Sequence, residues 1–262
     1  MRPYSTASPA VGPADFPSDL IMDDQANLYG TTELGGDPTC NGGSGCGTVF
    51  EVDNTGRETV LYSFTQAGGD GEWPSAGLVR DAQGDLYGTT SLGGASNAGT
   101  IFRVDATGKE TVLHSFNVID GNLPMSSLVR DAHGNLYGAT YSGGKGFEGG
   151  NGVVFKLNKT GKETVLYRFP APGKRGYHPQ DGLVRDGQGN LYGTTEYGGV
   201  FGFGAVFKVD KTGKQTLLHS FAGTQADGAN PSAGLVQDAE GNLYGTTTGG
   251  SFLSGTVFKV AP

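Results

Sequence analysis

Gly77-Leu78-Val79-Arg80-Asp81-Ala82-Gln83-Gly84-Asp85-Leu86-Tyr87-Gly88-Thr89-Thr90 is the stretch that decides the fold. Two short apolar runs flank Asp-Ala-Gln-Gly, the composition of a type I turn closed by a left-handed glycine, so the stretch reads as a tight β-hairpin. Its second half recurs as Asn/Asp-Leu-Tyr-Gly at Asn27, Asp85, Asn135, Asn190 and Asn242, each time followed by Thr-Thr or Ala-Thr and then Gly-Gly. Further on, Gly-x-Val/Ile-Phe returns at Gly47, Gly99, Gly152, Gly204 and Gly255, at spacings of 52, 53, 52 and 51. A third phrase of the type Glu-Thr-Val-Leu-Tyr-Ser-Phe starts at Glu58, Glu110, Glu163 and Gln215. Five units of about 52 residues therefore fill the chain, a period in the propeller range of repeat architectures.

Each unit reads as four short strands. In the second they are residues 77–81, 85–90, 100–105 and 110–116, here strands a to d. Strands b and c carry apolar residues on both faces, which suits sheets sandwiched between neighbours. The expected fold is all-β: one domain over residues 1–262, a five-bladed β-propeller of four-stranded antiparallel blades. Gly84, Gly134, Gly189 and Gly241 take the glycine position of the a–b turn, where the first unit has Ala26, so a different turn or local strain is expected at Ala26. The last unit stops after strand c at Val260-Ala261-Pro262, while Pro3-Tyr4-Ser5 resembles part of a strand d. The N-terminal segment is thus expected to close the last blade and remove an open edge.

Composition narrows the function. With 48 glycines and 12 prolines in 262 residues, long helices are disfavoured, yet 35% hydrophobic and 10% aromatic residues suffice for a core. A net charge of −8 repels phosphate backbones, which argues against nucleic acid as a partner. No apolar run approaches the roughly 20 residues of a membrane span. No secretory core follows Met1, so any leader is expected outside this chain. A monomer without a cofactor is expected.

The combined phrase Gly-Leu-Val-x-Asp-x-x-Gly-Asn-Leu-Tyr-Gly-Thr-Thr, then Gly-Gly, then Gly-Thr-Val-Phe-Lys-Val, resembles the GloVer tandem repeat of bacterial secreted and surface proteins. All five units carry it. The resemblance implies an extracytoplasmic setting, secreted or at the cell surface, and brings no catalytic residues with it. Cys40 and Cys46, in a loop longer than its counterparts, are compatible with that setting as a disulfide; a metal or redox pair is the competing reading, with no usual zinc spacing to support it.

Departures from the repeat mark the candidate site. The d–a and b–c loops are long and varied, the a–b and c–d turns short, so the long loops are the expected binding face. Three d–a loops share Asp-Gly-x-x-Pro, at Asp70, Asp120 and Asp227; this reads as a capped turn with glycine at positive φ, or else as repeated calcium or ligand contacts. The residue before each proline varies: Phe16, Trp73, Leu123, His178 and Asn230. Trp73 either stacks on a sugar or plugs a gap between blades. The apolar tips Phe147, Val200-Phe201-Gly202-Phe203 and Phe252-Leu253 are either packed down or exposed as a contact patch.

Acids depart from the repeat too. Glu33 and Glu196 follow Thr-Thr where other units have Ser91, Tyr141 and Thr248, and Asp19 and Asp181 precede strand a in the same two units. Paired carboxylates can cleave glycosides as acid and base or nucleophile, and the alternative is that these are ordinary surface acids. Arg80, Arg130 and Arg185 sit beside Asp81, Asp131 and Asp186 and read as a structural salt-bridge or hydrogen-bond ring. Neither a Gly-x-Ser-x-Gly elbow nor a phosphate-binding loop is present, and the four histidines are too scattered for a metal centre.

Three functions follow from these readings. The first is a glycan-binding propeller using Trp73, His178, Tyr177, Phe16, Glu33 and Glu196, with a carbohydrate or polysaccharide ligand. The second is a glycoside hydrolase using Asp19, Glu33, Asp181 and Glu196. The third is an adhesive module with protein partners.

Overall fold

A computed structural model describes residues 18–144, 150–170, 172–249 and 255–262. The expected closure by residues 1–10, together with Phe16, Phe147, Phe252 and Leu253, lies outside them. The described residues are all-β, with two single-turn 3-10 segments. Contacts divide the chain into two compact units, one ending at Ser115 and one starting at Phe116. The first holds the sheets of repeats 1 and 2, the second those of repeats 3 to 5.

The repeat sheets run a-b-c-d in space as in sequence, with antiparallel neighbours, and a separate two-stranded antiparallel sheet pairs Gly71–Glu72 with Leu92–Gly93. In repeat 2 the strands are Val79–Arg80, Leu86–Thr90, Thr100–Val104 and Glu110–Ser115. Strand a is thus only two residues long, shorter than its apolar run suggested. Among the described residues, the main sheets of repeats 1 to 4 have four strands and that of repeat 5 has three. Strand d is bulged in each of the four, between Val112 and His114 in repeat 2.

Packing explains the invariant Leu-Tyr-Gly. Gly88 faces Phe102 across the ladder, and a Cβ there would stand 2.6 Å from the Phe102 ring and 2.9 Å from Leu78. Gly138 and Gly193 are pressed in the same way by Phe155 and Phe207. Those rings are fully buried and meet, edge-on, the phenylalanine ending strand d of the preceding repeat, as in Phe64–Phe102 at 5.1 Å and Phe169–Phe207 at 5.2 Å. Each such ring contributes about 1.5–3 kcal/mol by burial, so this chain of aromatics links repeat to repeat within each unit.

The a–b turn is built on an aspartate. Asp81 Oδ1 accepts the amides of Gln83 and Asp85 at 3.0 and 3.1 Å, and Oδ2 accepts the Tyr87 hydroxyl at 2.9 Å. Asp23, Asp131, Asp186 and Asp238 hold the equivalent turns. Burial acts to raise the Asp131 carboxyl, but hydrogen bonds from Asn135, Tyr137 and the His133 amide outweigh it and bring it down to about 2. Gly84, Gly134, Gly189 and Gly241 have φ of 82 to 91°, and Ala26 is held at 64°, where its Cβ is strained as expected. The arginines of strand a link repeats: Arg80 and Arg185 reach back to the rings of Tyr29 and Tyr137 in the preceding repeat, and Arg80 Nη2 lies 3.8 Å from Asp23 Oδ2 there, a salt bridge of the expected kind.

Candidate functional site

One backbone position in the d–a loops stands apart. Trp73, Leu123, His178 and Asn230, each followed by proline, have φ of 59, 55, 58 and 53°. A non-glycine residue in this left-handed region costs on the order of 1–3 kcal/mol and persists only where the surroundings enforce it. Here the enforcement is visible. The amides of Trp73, His178 and Asn230 donate to the carbonyls of Cys46, Asn151 and Phe203 in the b–c loop of the preceding repeat. The carbonyls of Trp73, Leu123, His178 and Asn230 accept the amides of Ser91, Tyr141, Glu196 and Thr248, the residues that follow Thr-Thr or Ala-Thr. Backbone geometry is fixed while the side chain differs in every repeat.

At His178 that arrangement gathers a cluster. The imidazole stacks on Tyr141 with centroids 4.3 Å apart, and Nδ1 lies 2.7 Å from the Tyr141 carbonyl oxygen. Tyr177 and Tyr197 stack on each other at 5.7 Å and both meet the imidazole edge-on, at 5.1 and 6.1 Å. Glu196 sits among them: its Oε2 accepts Gln180 Nε2 at 2.6 Å and the Tyr141 hydroxyl at 3.3 Å. Burial and the Glu196 charge push the Tyr141 hydroxyl up to about 12, and a hydrogen bond to Glu196 raises Tyr197. Both phenols therefore keep their protons at neutral pH. All six side chains are half-buried, so each keeps a solvent-facing part. A carboxylate, an amide and rings with faces and edges on offer can bind a polyhydroxylated ligand: hydroxyls to the polar atoms, C–H groups to the rings.

Other expected site residues fall elsewhere. Asp181 is occupied, accepting the amides of Gly182 and Gly234, the latter at 2.6 Å, so it ties its loop to the next repeat. Asp19 is exposed and Glu33 half-buried, both in the first unit. Trp73 is half-buried, with its Nε1 buried and lacking an acceptor among the described residues. Cys40 and Cys46 form a disulfide with both residues buried, Cys46 in the core beside Phe64.

The aspartates of Asp-Gly-x-x-Pro cap backbone, as in Thr65 N to Asp70 Oδ2 at 2.9 Å and Ala222 N to Asp227 Oδ2 at 2.7 Å. Their glycines correct the expectation of positive φ: only Gly228 has it, whereas Gly71 and Gly121 are required because a Cβ would strike Thr90 and Thr140. Among the described residues no group of three His, Cys, Asp or Glu could hold a metal. Of the apolar tips, Val200, Phe201 and Phe203 are exposed by 54, 57 and 43%. Tyr141, Gln180 and Tyr197 escaped the sequence reading as ligand-facing residues. The signal that could have found Tyr141 was the position after Thr-Thr or Ala-Thr, where it and Glu196 both stand out.

Solved structures resemble the chain in fold. A gluconolactonase from Xanthomonas campestris, XC5397, matches with a TM-score of 0.58 at 14% identity, over 94% of this chain and 71% of that one. The luciferin-regenerating enzyme matches at 0.52 and 15%, over 95% and 92% of the two chains. An extracellular domain from B. thetaiotaomicron, in the protein BT4673 described as a one-component system, matches at 0.55 and 16%, over 90% of this chain but 28% of that one. The likeness is to β-propellers, and at such identities it speaks for fold alone. No curated protein sequence matches the chain. The profile of the Gloeobacter/Verrucomicrobia repeat matches residues 6–150 and 144–262, so the chain belongs to the Gloeobacter/Verrucomicrobia repeat family.

Proposed function

We propose that the chain is a single five-bladed β-propeller, secreted or displayed at the cell surface, that binds carbohydrate at the corner formed by Tyr141, Tyr177, His178, Gln180, Glu196 and Tyr197. The observation that carries this reading is the four-ring cluster around one carboxylate, held by a residue in left-handed backbone. The disulfide and the extracellular neighbour fit an oxidising location.

Binding is favoured over hydrolysis because a glycosidase needs two carboxylates about 5–10 Å apart. Asp181, the intended partner of Glu196, spends both oxygens on backbone amides. A glycan array run beside an assay for reducing-sugar release tests the proposal. Binding without release is expected, and His178→Ala weakens it roughly five- to tenfold, the value of about 1 kcal/mol of ring contact. Sugar release abolished by Glu196→Gln would establish the hydrolase instead. Neither binding nor release would leave the adhesive module.

A further inference from the structure

In repeats 2 and 4, strand a ends on an arginine that serves the repeat before it. Arg80 Cζ stands 5.3 Å from the Tyr29 ring centroid, and its Nη2 is 3.8 Å from Asp23 Oδ2. Arg185 Cζ stands 5.3 Å from the Tyr137 ring centroid. Asp23–Tyr29 and Asp131–Tyr137 are the aspartate and tyrosine of one a–b hairpin, joined by a hydrogen bond from the phenol to the carboxylate. Each hairpin is thus a receptor for a guanidinium, the chain's own arginine lying over the ring in both and 3.8 Å from the carboxylate in the first.

Repeat 4 has the same aspartate–tyrosine hairpin. Asp186 Oδ2 accepts the Tyr192 hydroxyl at 2.9 Å and Asn190 Nδ2 at 2.7 Å, matching the other hairpins. Lys208 lies 5.7 Å from the Tyr192 ring, as Lys156 does from Tyr137. The arginine is what differs. Repeat 5 ends strand a on Gln237, whose Nε2 folds back onto the Gly241 carbonyl in its own turn at 3.2 Å. A cleft of about 400 Å³ opens there, lined by Asp186, Gln188, Tyr192, Gln237, Asp238 and Glu240. Its chemistry is acidic. Tyr192 is 3% exposed, so the cleft offers carboxylates and amides more than an open ring.

We propose that this cleft binds a guanidinium group, such as an arginine side chain, in the place where repeats 2 and 4 supply their own. A planar cation with five donors can bridge carboxylates in a way that an ammonium cannot. Two occupied copies of the receptor in the same chain, independent of the acidity of the third, carry the inference. It does not depend on the carbohydrate reading, since the cleft lies at the a–b turns and not at the His178 corner.

The test is titration, followed by NMR, of the whole chain with acetyl-arginine amide, acetyl-citrulline amide and acetyl-lysine amide, and with an arginine-containing tripeptide. Arginine amide is expected to shift the Gly187, Gly241 and Gln237 amide signals and to bind at least about tenfold more tightly than citrulline, which keeps the shape without the charge. A tripeptide that binds better than the amide points to a peptide source, and equal binding to the free group; both uphold the site. Gln237→Arg restores the pattern of repeats 2 and 4, so it is expected to fold, to raise the melting temperature and to abolish arginine binding. Glu240→Gln, on the rim, is expected to weaken binding two- to fivefold without loss of fold. Equal affinity for arginine and citrulline, or undiminished binding in Gln237→Arg, overturns the proposal.

Discussion

Trp73 and His178 occupy one and the same backbone setting, and the two corners around them are built differently. Both residues precede proline, at φ of 59 and 58°. Both amides donate into the preceding b–c loop, to Cys46 at 3.0 Å and Asn151 at 2.9 Å. Both carbonyls accept an amide at 3.0 Å, from Ser91 and Glu196. Around His178 the side chains form a half-open group of rings and polar atoms, whereas at Trp73 the indole N–H is buried and the backbone amide meets a loop stapled by a disulfide. A repeated backbone frame therefore leaves the side chain free to pack differently in each repeat, with the cost of the strained position already met by the scaffold.

The largest expected effect separates the two corners. Trp73→Ala should lower the unfolding free energy by roughly 2 kcal/mol, less than the 3–5 of a fully buried aromatic, and leave carbohydrate affinity unchanged. His178→Ala should lose affinity while costing less than about 1 kcal/mol of stability. Urea unfolding combined with glycan titration reads both. If Trp73→Ala abolishes binding with little loss of stability, the roles assigned to the two corners are reversed.

A smaller effect comes from the first residue of strand d, which reaches into the same loops. Near His178 this residue is Gln215, donating to the Arg175 carbonyl at 3.1 Å. Near Trp73 it is Glu110, which lines a cleft of about 410 Å³ with Asp70 and Tyr62. Burial, then the Asp70 charge, pushes the Glu110 carboxyl up to about 7. A raised acid binds its proton more tightly in the folded state, so its contribution is most favourable below pH 4.5 and is lost as pH rises through 7. Solvent reaches this cleft, which limits the loss to about 1 kcal/mol, well short of the whole shift. Glu110→Gln, copying Gln215, should flatten the stability profile between pH 4.5 and 7.5. A wild-type profile that is already flat there would show that Glu110 is ionised in the fold.

How much of this could be read in advance follows from what residue identity encodes. The hairpins were legible because Asp-x-x-Gly with flanking apolar runs has one common geometry, and the strained Ala26 was legible as a break in a row of glycines. The left-handed corner was not. Asn and His tolerate positive φ but Trp and Leu do not, so residue type gives no common signal, and the hydrogen bonds from distant loops impose the conformation. Proline after each residue was visible, but proline normally favours extended backbone before it. The Glu196 cluster was half legible. The acid stood out against the repeat, whereas Gln180 and Tyr197 became relevant only once two loops, distant in sequence, met. Asp181 misled for a related reason: its oxygens cap the Gly182 amide and, 53 residues along the chain, that of Gly234.

The smallest expected effect lies beneath the same two corners. Under Gly71, near Trp73, the Thr90 hydroxyl pairs with Thr100 at 2.8 Å and also reaches the Leu92 carbonyl at 2.9 Å. Under Gly176, near His178, the matching Thr195 faces Ala205, and its buried hydroxyl has no hydrogen-bond partner among the described residues. A buried hydroxyl left unpaired costs about 1–3 kcal/mol, whereas removing one member of a satisfied pair strands the other. Thr195→Val should therefore be neutral or stabilise by up to about 1 kcal/mol, and Thr90→Val should destabilise by about 1 kcal/mol. The same isosteric change would carry opposite signs at two equivalent positions. Thermal melts of the two variants decide it: equal destabilisation would mean that the Thr195 hydroxyl is satisfied in solution, and that the two corners differ less in their foundations than in the side chains they present.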